Sequence, residues 1–336
     1  MSSTLLLAGD VGGSKTTLAV LRADGPAPQR ECEHTYASTA HAAFDELLDD
    51  FLTRAGRPAL GAACIGVAGP VIGDAAEVTN LPWRIECAKL AEQTGARAVK
   101  LLNDVEATAF GMLFLAPDDF AVLNPGTPPE RRGNITVIAM GTGLGEALLY
   151  WDGVRYHPIA TEGGHGDYAP RTEREIDLLR HLQAQLGGHV STERVVSGSA
   201  IPHVYRFLRA RGAAAEPDWL ADRIAAGDAS AAVVEAGLAQ RDPVCVETLE
   251  LLVENLGSEA GSTALRHLAL GGVLLGGGVP PRILAALQDG RFLEAFRAKG
   301  RFAPLLRGLR VAVSLVPDTA LRGAAHYALR LLQQPS

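Results

Sequence analysis

The chain has little cysteine, and none of it forms a pattern. Cys32, Cys64, Cys87 and Cys245 are scattered, with no CxxC pair. A zinc site or a disulfide framework is not expected, and reduced, mostly buried thiols are. No stretch approaches the ~18 uninterrupted apolar residues that a membrane-spanning helix needs. The apolar run Leu5–Ala8 is short for a signal-peptide core and has no basic flank. A cytoplasmic protein without membrane contact is expected. A basic excess is also missing: 31 Lys and Arg stand against 38 Asp and Glu, a net charge of −7. That balance disfavours a nucleic-acid partner. Long linkers and low-complexity tails are absent as well.

What is present is apolar and glycine-rich. Hydrophobic residues make up 47 % of 336 and charged residues 21 %. That suits one large or two medium domains with a substantial core. Glycine numbers 37, an excess over the usual ~7 %, and it falls in clusters.

The opening segment reads as strand, tight loop, strand. Leu5–Ala8 is apolar, residues 9–14 form a turn cluster, Thr16–Leu21 is rich in strand formers, and Asp24-Gly25 closes the unit. Helical periodicity follows over 41–54 and 83–94. Short buried strands are expected at Cys64–Ala68 and Ala98–Leu102, with a helix over Glu106–Leu115. A second strand–loop–strand unit lies at 135–150, with Gly141-Thr142-Gly143-Leu144-Gly145 as its loop. It echoes the first and reads as a possible duplication. Residues 172–270 are mainly helical. Gly271–Gly278 reads as strand plus loop, followed by helix near 282–298, a strand at 311–316 and a last helix at 320–332. Strands alternating with helices predict an α/β fold.

Two glycine motifs are tested and rejected. Ser14 precedes Lys15 where a Walker A needs Gly, and Thr16–Leu21 reads as strand where a P-loop needs a helix. Gly141-x-Gly143-x-Gly145 has the wrong spacing for a dinucleotide fingerprint. A glycine-rich hairpin can still present backbone amides to phosphate. Asp10 would sit badly beside phosphates unless a cation intervenes, and Mg²⁺ held through water suits it.

These residues carry a resemblance. Gly9-Asp10-Val11-Gly12-Gly13-Ser14-Lys15 resembles the phosphate-1 loop of the actin-like ATPase and sugar-kinase superfamily. Gly141 to Gly145 resembles its phosphate-2 loop. Leu270-Gly271-Gly272-Val273, with Gly276-Gly277-Gly278, resembles its adenosine motif. Within that superfamily the chain most closely resembles the bacterial glucokinase family of the non-ROK type. Four further motifs support this, in the family's order over nearly the whole chain. They are Leu102-Asn103-Asp104, Glu162-Gly163-Gly164-His165-Gly166-Asp167-Tyr168, Glu193-Arg194-Val195-Val196-Ser197-Gly198 and Gly300-Arg301-Phe302. The ROK branch carries a Cys-rich zinc motif after its corresponding His, and here no Cys follows His165 until Cys245. Ser14-Lys15 stands where the family commonly has Thr-Asn, and Gly166 where a larger residue is common.

The resemblance implies two actin-like (ribonuclease H-like) α/β domains with a nucleotide and sugar cleft between them. The smaller comprises 1–112 plus 318–334, the larger 113–317. It implies ATP-dependent phosphorylation of D-glucose at the 6-hydroxyl, the first step of glucose use in glycolysis, and a homodimer. Nucleotide contacts fall on Gly9, Asp10, Val11, Gly12, Gly13, Ser14, Gly141, Thr142, Gly143 and Gly277, with Asp10 toward Mg²⁺ through water. Glucose contacts fall on Asn103, Asp104, Glu162, His165 and Glu193. Paired carboxylates and amides suit a ring of hydroxyls that both donate and accept. Asp104 is the expected general base. By spacing alone it is equally a cap for the following helix; the motif set favours the base. A kinase for another hexose and a non-catalytic sugar sensor remain open. A DNA-binding regulator is disfavoured because Asp10 comes so early.

Overall fold

The computed structural model describes residues 4–25, 27–128, 132–212 and 215–333. It divides into two compact units. One comprises Met1–Pro117, Tyr156–Ala160 and Val316–Ser336, the other Asp118–Arg155 and Thr161–Leu315.

The first unit is built on a five-stranded sheet in the order β3-β2-β1-β4-β8. β1 (Leu5–Val11) and β2 (Lys15–Arg22) form an antiparallel hairpin, and β3 (Gln29–Ala37) extends it. β4 (Leu60–Val67) runs parallel to β1, and β8 (Ala98–Asn103) parallel to β4. A small meander, β5 (Val71–Ile72), β6 (Ala75–Glu77) and β7 (Arg84–Glu86), follows β4. β1 and β4 are covered on both faces, which is why they read as unbroken apolar runs. Alternate residues serve two cores. Leu7 and Val11 pack toward Phe44, Leu47 and Phe51 of α1 (Phe44–Arg54) and toward Leu90 of α2 (Cys87–Thr94). Leu6 and Ala8 pack toward Ala107 of α3 (Asp104–Met112) and Ala324 of the C-terminal helix, Thr319–Leu332.

α3 lies against the C-terminal helix backbone to backbone. A Cβ at Gly323 would come 1.8 Å from the Ala107 carbonyl oxygen, and one at Gly111 2.1 Å from that of Thr319. This close crossing fixes the start of α3, where Asn103 and Asp104 sit.

The second unit repeats the hairpin-plus-parallel-strand theme. Its sheet runs β11-β10-β13-β14-β9. β10 (Ile135–Met140) and β11 (Leu144–Trp151) are antiparallel. β13 (Gly272–Gly276) and β14 (Val311–Ser314) continue in parallel, and β9 (Phe120–Asn124) closes the edge antiparallel. β12 (Tyr156–Thr161) follows β11, its first five residues grouping with the first unit. The helices are α4 (Glu173–Leu186), α5 (Ile201–Arg211), α6 (Asp218–Ala225), α7 (Ala229–Leu238), α8 (Pro243–Arg266), α9 (Leu284–Leu287), α10 (Arg291–Arg297) and α11 (Ala303–Gly308). Asp242 caps the 24-residue α8 by accepting the Cys245 N–H at 2.9 Å. α8 buries Leu249, Leu252, Val253 and Leu256 in the core with Phe292 and Phe296 of α10.

Several expected boundaries move. β1 continues through Gly9, Asp10 and Val11, so the first glycine loop shortens to residues 12–14. Ladder bonds to β2 and β4 hold Asp10 extended and override its turn preference. Leu144 and Gly145 likewise join β11, leaving Gly141–Gly143 as the second loop. The helix expected over 83–94 starts only at Cys87, because Arg84–Glu86 pairs with β6. The helix expected from Glu106 starts at Asp104.

Candidate active site

In the first unit the site residues gather at one edge of the sheet. Val11, Val67 and Asn103 share a register row at the carboxyl ends of the parallel strands. Ligands bind at this edge in open α/β sheets. One row deeper, Gly66 pairs with Asp10. A Cβ on Gly66 would lie 3.0 Å from the Ala107 Cβ of α3, tighter than side chains ordinarily pack. A residue without a side chain here lets α3 approach.

Gly9 answers to packing. A Cβ there would meet Ile65 Cδ1 at 2.6 Å and Leu18 Cδ2 at 2.7 Å. The turn itself is closed by the Gly12 N–H donating to the Lys15 carbonyl at 2.9 Å. Ser38 braces it, donating its hydroxyl to the Gly12 carbonyl at 2.7 Å and its N–H to that of Ser14 at 3.0 Å. Asp10 is half-buried beside this turn. Burial raises its carboxyl above the ordinary range, and only the Lys15 charge opposes. A carboxylate so placed has need of a cation.

The Asn103-Asp104 pair divides two roles. Asn103 is the cap of α3: its Oδ1 accepts the N–H of Val105 at 2.9 Å and of Glu106 at 3.4 Å. Glu106 returns a bond from its carboxylate to the Asn103 N–H at 3.2 Å, completing a capping box. Asn103 Nδ2 donates to the Gly69 carbonyl at 3.1 Å. Asp104 is thus not the cap. It occupies the first helical position, where its Oδ1 accepts the Val105 N–H at 2.9 Å and the helix dipole favours its charge. Burial pushes the Glu106 carboxyl up to about 7.

In the second unit Gly141 and Thr142 line a cavity of about 800 Å³, and Gly143 follows them in the loop. Gly141 and Gly278 both face open space, where a Cβ would meet nothing within 4 Å. The loop is stitched to its surroundings through backbone. The Gly198 N–H donates to the Gly141 carbonyl at 2.8 Å, and the Ser199 N–H to that of Thr142 at 3.1 Å. Gly277 has φ +85°, and a Cβ there would lie 2.3 Å from the Met140 carbonyl oxygen, so glycine is required twice over. Ser199, Asp228, Ser230, Val279 and Arg282 also line the cavity. Sequence reading did not find them, though Ser199 and Val279 each adjoin a noted motif.

The remaining three residues lie close to this loop. Gly163–His165 forms a single 3-10 turn, and Glu162 and His165 face each other from exposed positions, Oε2 to Nε2 3.9 Å. The turn is tied to the Glu193 segment: the Thr192 N–H donates to the Gly166 carbonyl at 2.9 Å, and Asp167 bridges Ser191. Glu193 reaches back to the loop, its Oε2 accepting the Leu144 N–H at 2.8 Å. A Cβ on Gly143 would stand 2.4 Å from that same oxygen. Tyr168 is buried, its hydroxyl on Asn255 Oδ1 at 2.9 Å.

Two glycine hairpins, a carboxylate at the carboxyl edge of one sheet and an open cavity beside the other define a phosphotransferase of the sugar-kinase class. The chain matches the family described as Glucokinase over residues 7–331. It is 38 % identical to the glucokinase of Nostoc punctiforme, covering 98 % of this chain and 100 % of that protein. The crystal structure of a glucokinase from an Antarctic psychrotroph superposes with a TM-score of 0.83 at 29 % identity, over 99 % of this chain and 100 % of that one. A ROK-family glucokinase from Streptomyces griseus, solved with glucose and AMPPNP, shares the fold at a TM-score of 0.66 and 21 % identity, over 97 % and 99 %. The chain belongs to the glucokinase family.

Proposed function

We propose that this glucokinase-family enzyme transfers the γ-phosphoryl group of ATP to the 6-hydroxyl of glucose, with Asp104 as the base. The observation that carries the assignment is the capping box at Asn103. The helix has its cap in Asn103, and Asp104, in the first turn with Oδ1 on the Val105 N–H, sits at the ligand edge of the sheet. As the sugar oxygen attacks the γ-phosphorus, Asp104 takes the hydroxyl proton and the bond to ADP breaks. Glu162, His165 and Glu193 hold the other sugar hydroxyls, each able to pair with a group that donates and accepts. A sugar lacking one hydroxyl would leave one of these partners unpaired in the complex, which is how such a site selects.

The hairpin Gly12–Ser14 and the loop Gly141–Gly143 are each suited to phosphate, since their small residues let backbone approach phosphoryl oxygens. The adenosine occupies the cavity lined by Gly278, Val279 and Arg282. Phosphoryl transfer relies on charge neutralisation more than on covalent help. Mg²⁺ would supply that neutralisation. Asp10 fits as its water-mediated partner, since its raised carboxyl is unmatched by any cation but Lys15.

No helix of the described residues is long and apolar enough to cross a membrane. The enzyme acts on soluble substrates, and we place it in the cytoplasm as a homodimer. A coupled assay with ATP and a panel of hexoses tests the reading. Glucose should give the highest kcat/KM. Preference for another hexose would reassign the substrate, and sugar binding without ADP release would make the protein a sensor.

A further inference from the structure

Beneath the turn Gly163–His165 sits a buried acid to which the mechanism gives no task. Glu146 lies on β11 and is 2 % exposed. A Cβ on Gly163 would come 2.3 Å from Glu146 Oε2. Thr161, just before the turn, donates its hydroxyl to the Glu146 main-chain carbonyl at 2.9 Å and accepts the Gly163 N–H at 3.2 Å. The segment that presents Glu162 and His165 therefore rests on Glu146 through both side chain and backbone.

A second acid, Glu259 of α8, faces the same carboxyl. Thr263 Oγ1 stands 2.9 Å from Glu259 Oε1 and 3.4 Å from Glu146 Oε2. A hydroxyl has one proton to give, so it cannot satisfy two carboxylates at once. Among the described residues the buried Glu146 Oε1 has no hydrogen-bond partner. The cations nearby favour Glu259. Arg266 contacts it directly and reaches Thr263 Oγ1 at 2.8 Å, but lies 3.9 Å from Glu146. Lys299, tethered to Ser258 Oγ at 3.0 Å, also bears on Glu259. The negative charge is best held at Glu259, and a proton on Glu146 completes the chain from Glu146 through Thr263 to Glu259.

We propose that Glu146 is a positioning residue: its protonated carboxyl seats the turn Gly163–His165, and its ionisation loosens that turn and weakens glucose binding. The proposal rests on the reading that Glu162 and His165 contact glucose. Burial and the facing Glu259 charge push Glu146 up to about 7, with Arg266 pulling the other way. Ionisation therefore falls near neutral pH. Two carboxylates then confront each other across Thr263. β11 and α8 are locked in the core, so the strain relaxes into the exposed turn above Gly163. The effect belongs in the KM for glucose rather than in the KM for ATP.

Steady-state kinetics of the full chain with glucose and ATP, from about pH 6 to 8.5, test this. The wild-type glucose KM should rise roughly fivefold through about pH 7 while the ATP KM stays level. Glu146→Gln, a neutral isostere of the protonated acid, should hold glucose KM near the low-pH wild-type value throughout. Glu146→Ala should raise it about tenfold at every pH, since the seat is gone. A level wild-type glucose KM overturns the proposal whether or not the variants fold, and so does a Glu146→Gln profile that still climbs. Absence of glucose turnover by the wild type at any pH is a separate result, which removes the glucose reading itself.

Discussion

The carboxylate of Glu193 accepts the N–H of Leu144 at 2.8 Å. This bond joins a residue assigned to sugar to the exit of the loop assigned to phosphate. One oxygen is committed to the loop, and Gly143 is glycine because that oxygen occupies the space of its Cβ. Glu193 thus braces the loop, besides the sugar contact proposed for it.

Removing it should therefore affect both substrates. Glu193→Ala is expected to raise the glucose KM more than tenfold and the ATP KM severalfold, because the Leu144 amide loses a charge-assisted acceptor. Glu193→Gln keeps an acceptor for Leu144, so its ATP KM should stay near wild type while glucose binding falls. Initial-rate titrations of each substrate separate the two. An Ala variant with an unaltered ATP KM would show that the loop holds its shape alone.

The Asn103-Asp104 pair allows stability and turnover to be pulled apart. Asp104→Asn keeps an acceptor for the Val105 N–H and leaves the cap intact. Its thermal midpoint should hardly move, while kcat drops by about 10²–10⁴ on loss of the base. Asn103→Ala does the reverse at the fold level. It strips the cap and the bond to Gly69, costing about 1–2 kcal/mol. Calorimetry with single-turnover kinetics on both variants decides. Full turnover by Asp104→Asn would return the base role to another group.

How much of this was open to sequence reading varies with the physics. β1, β4, β10 and β13 are buried on both faces, so their apolar runs announce them. β3 gave no apolar run because its residues Gln29–Ala37 are mostly exposed and polar, as an edge strand's can be. The alternating glycine motifs located both loops, but not their ends, since ladder pairing with β4 and β2 decides that Asp10 is strand. Asn and Asp are equally good caps. Only the extended backbone of Asn103, φ −63° and ψ 151°, assigns the cap to it and not to its neighbour. Glu146 carried no signal at all. Its burial comes from α8, more than a hundred residues away in sequence.

Asp10 gives a prediction about the cation. Its carboxyl is raised by burial and answered only by Lys15. Asp10→Asn removes the charge with little change of shape. The Mg²⁺ concentration for half-maximal rate should rise severalfold and kcat should fall, while the glucose KM remains level. Rates measured across a Mg²⁺ titration at saturating ATP report this. An unchanged Mg²⁺ dependence would place Asp10 outside the nucleotide–metal environment.

Stability against pH follows from Glu106. Burial lifts its carboxyl from the ordinary 4.5 to about 7. An acid with a raised folded value binds more protons folded than unfolded, between about pH 4.5 and 7. Its favourable contribution is complete below that window and is lost as pH climbs through it. Glu146 shifts in the same direction and adds to the slope. Glu106→Gln retains an acceptor for the Asn103 N–H, since Gln also serves in a capping box. The variant should therefore gain roughly 2–3 kcal/mol on wild type between pH 5 and pH 8. Urea unfolding at both pH values measures the difference. A gap of equal size at the two would mean that the Glu106 carboxyl titrates alike in the folded and unfolded chain, and that its burial costs the ionised form nothing.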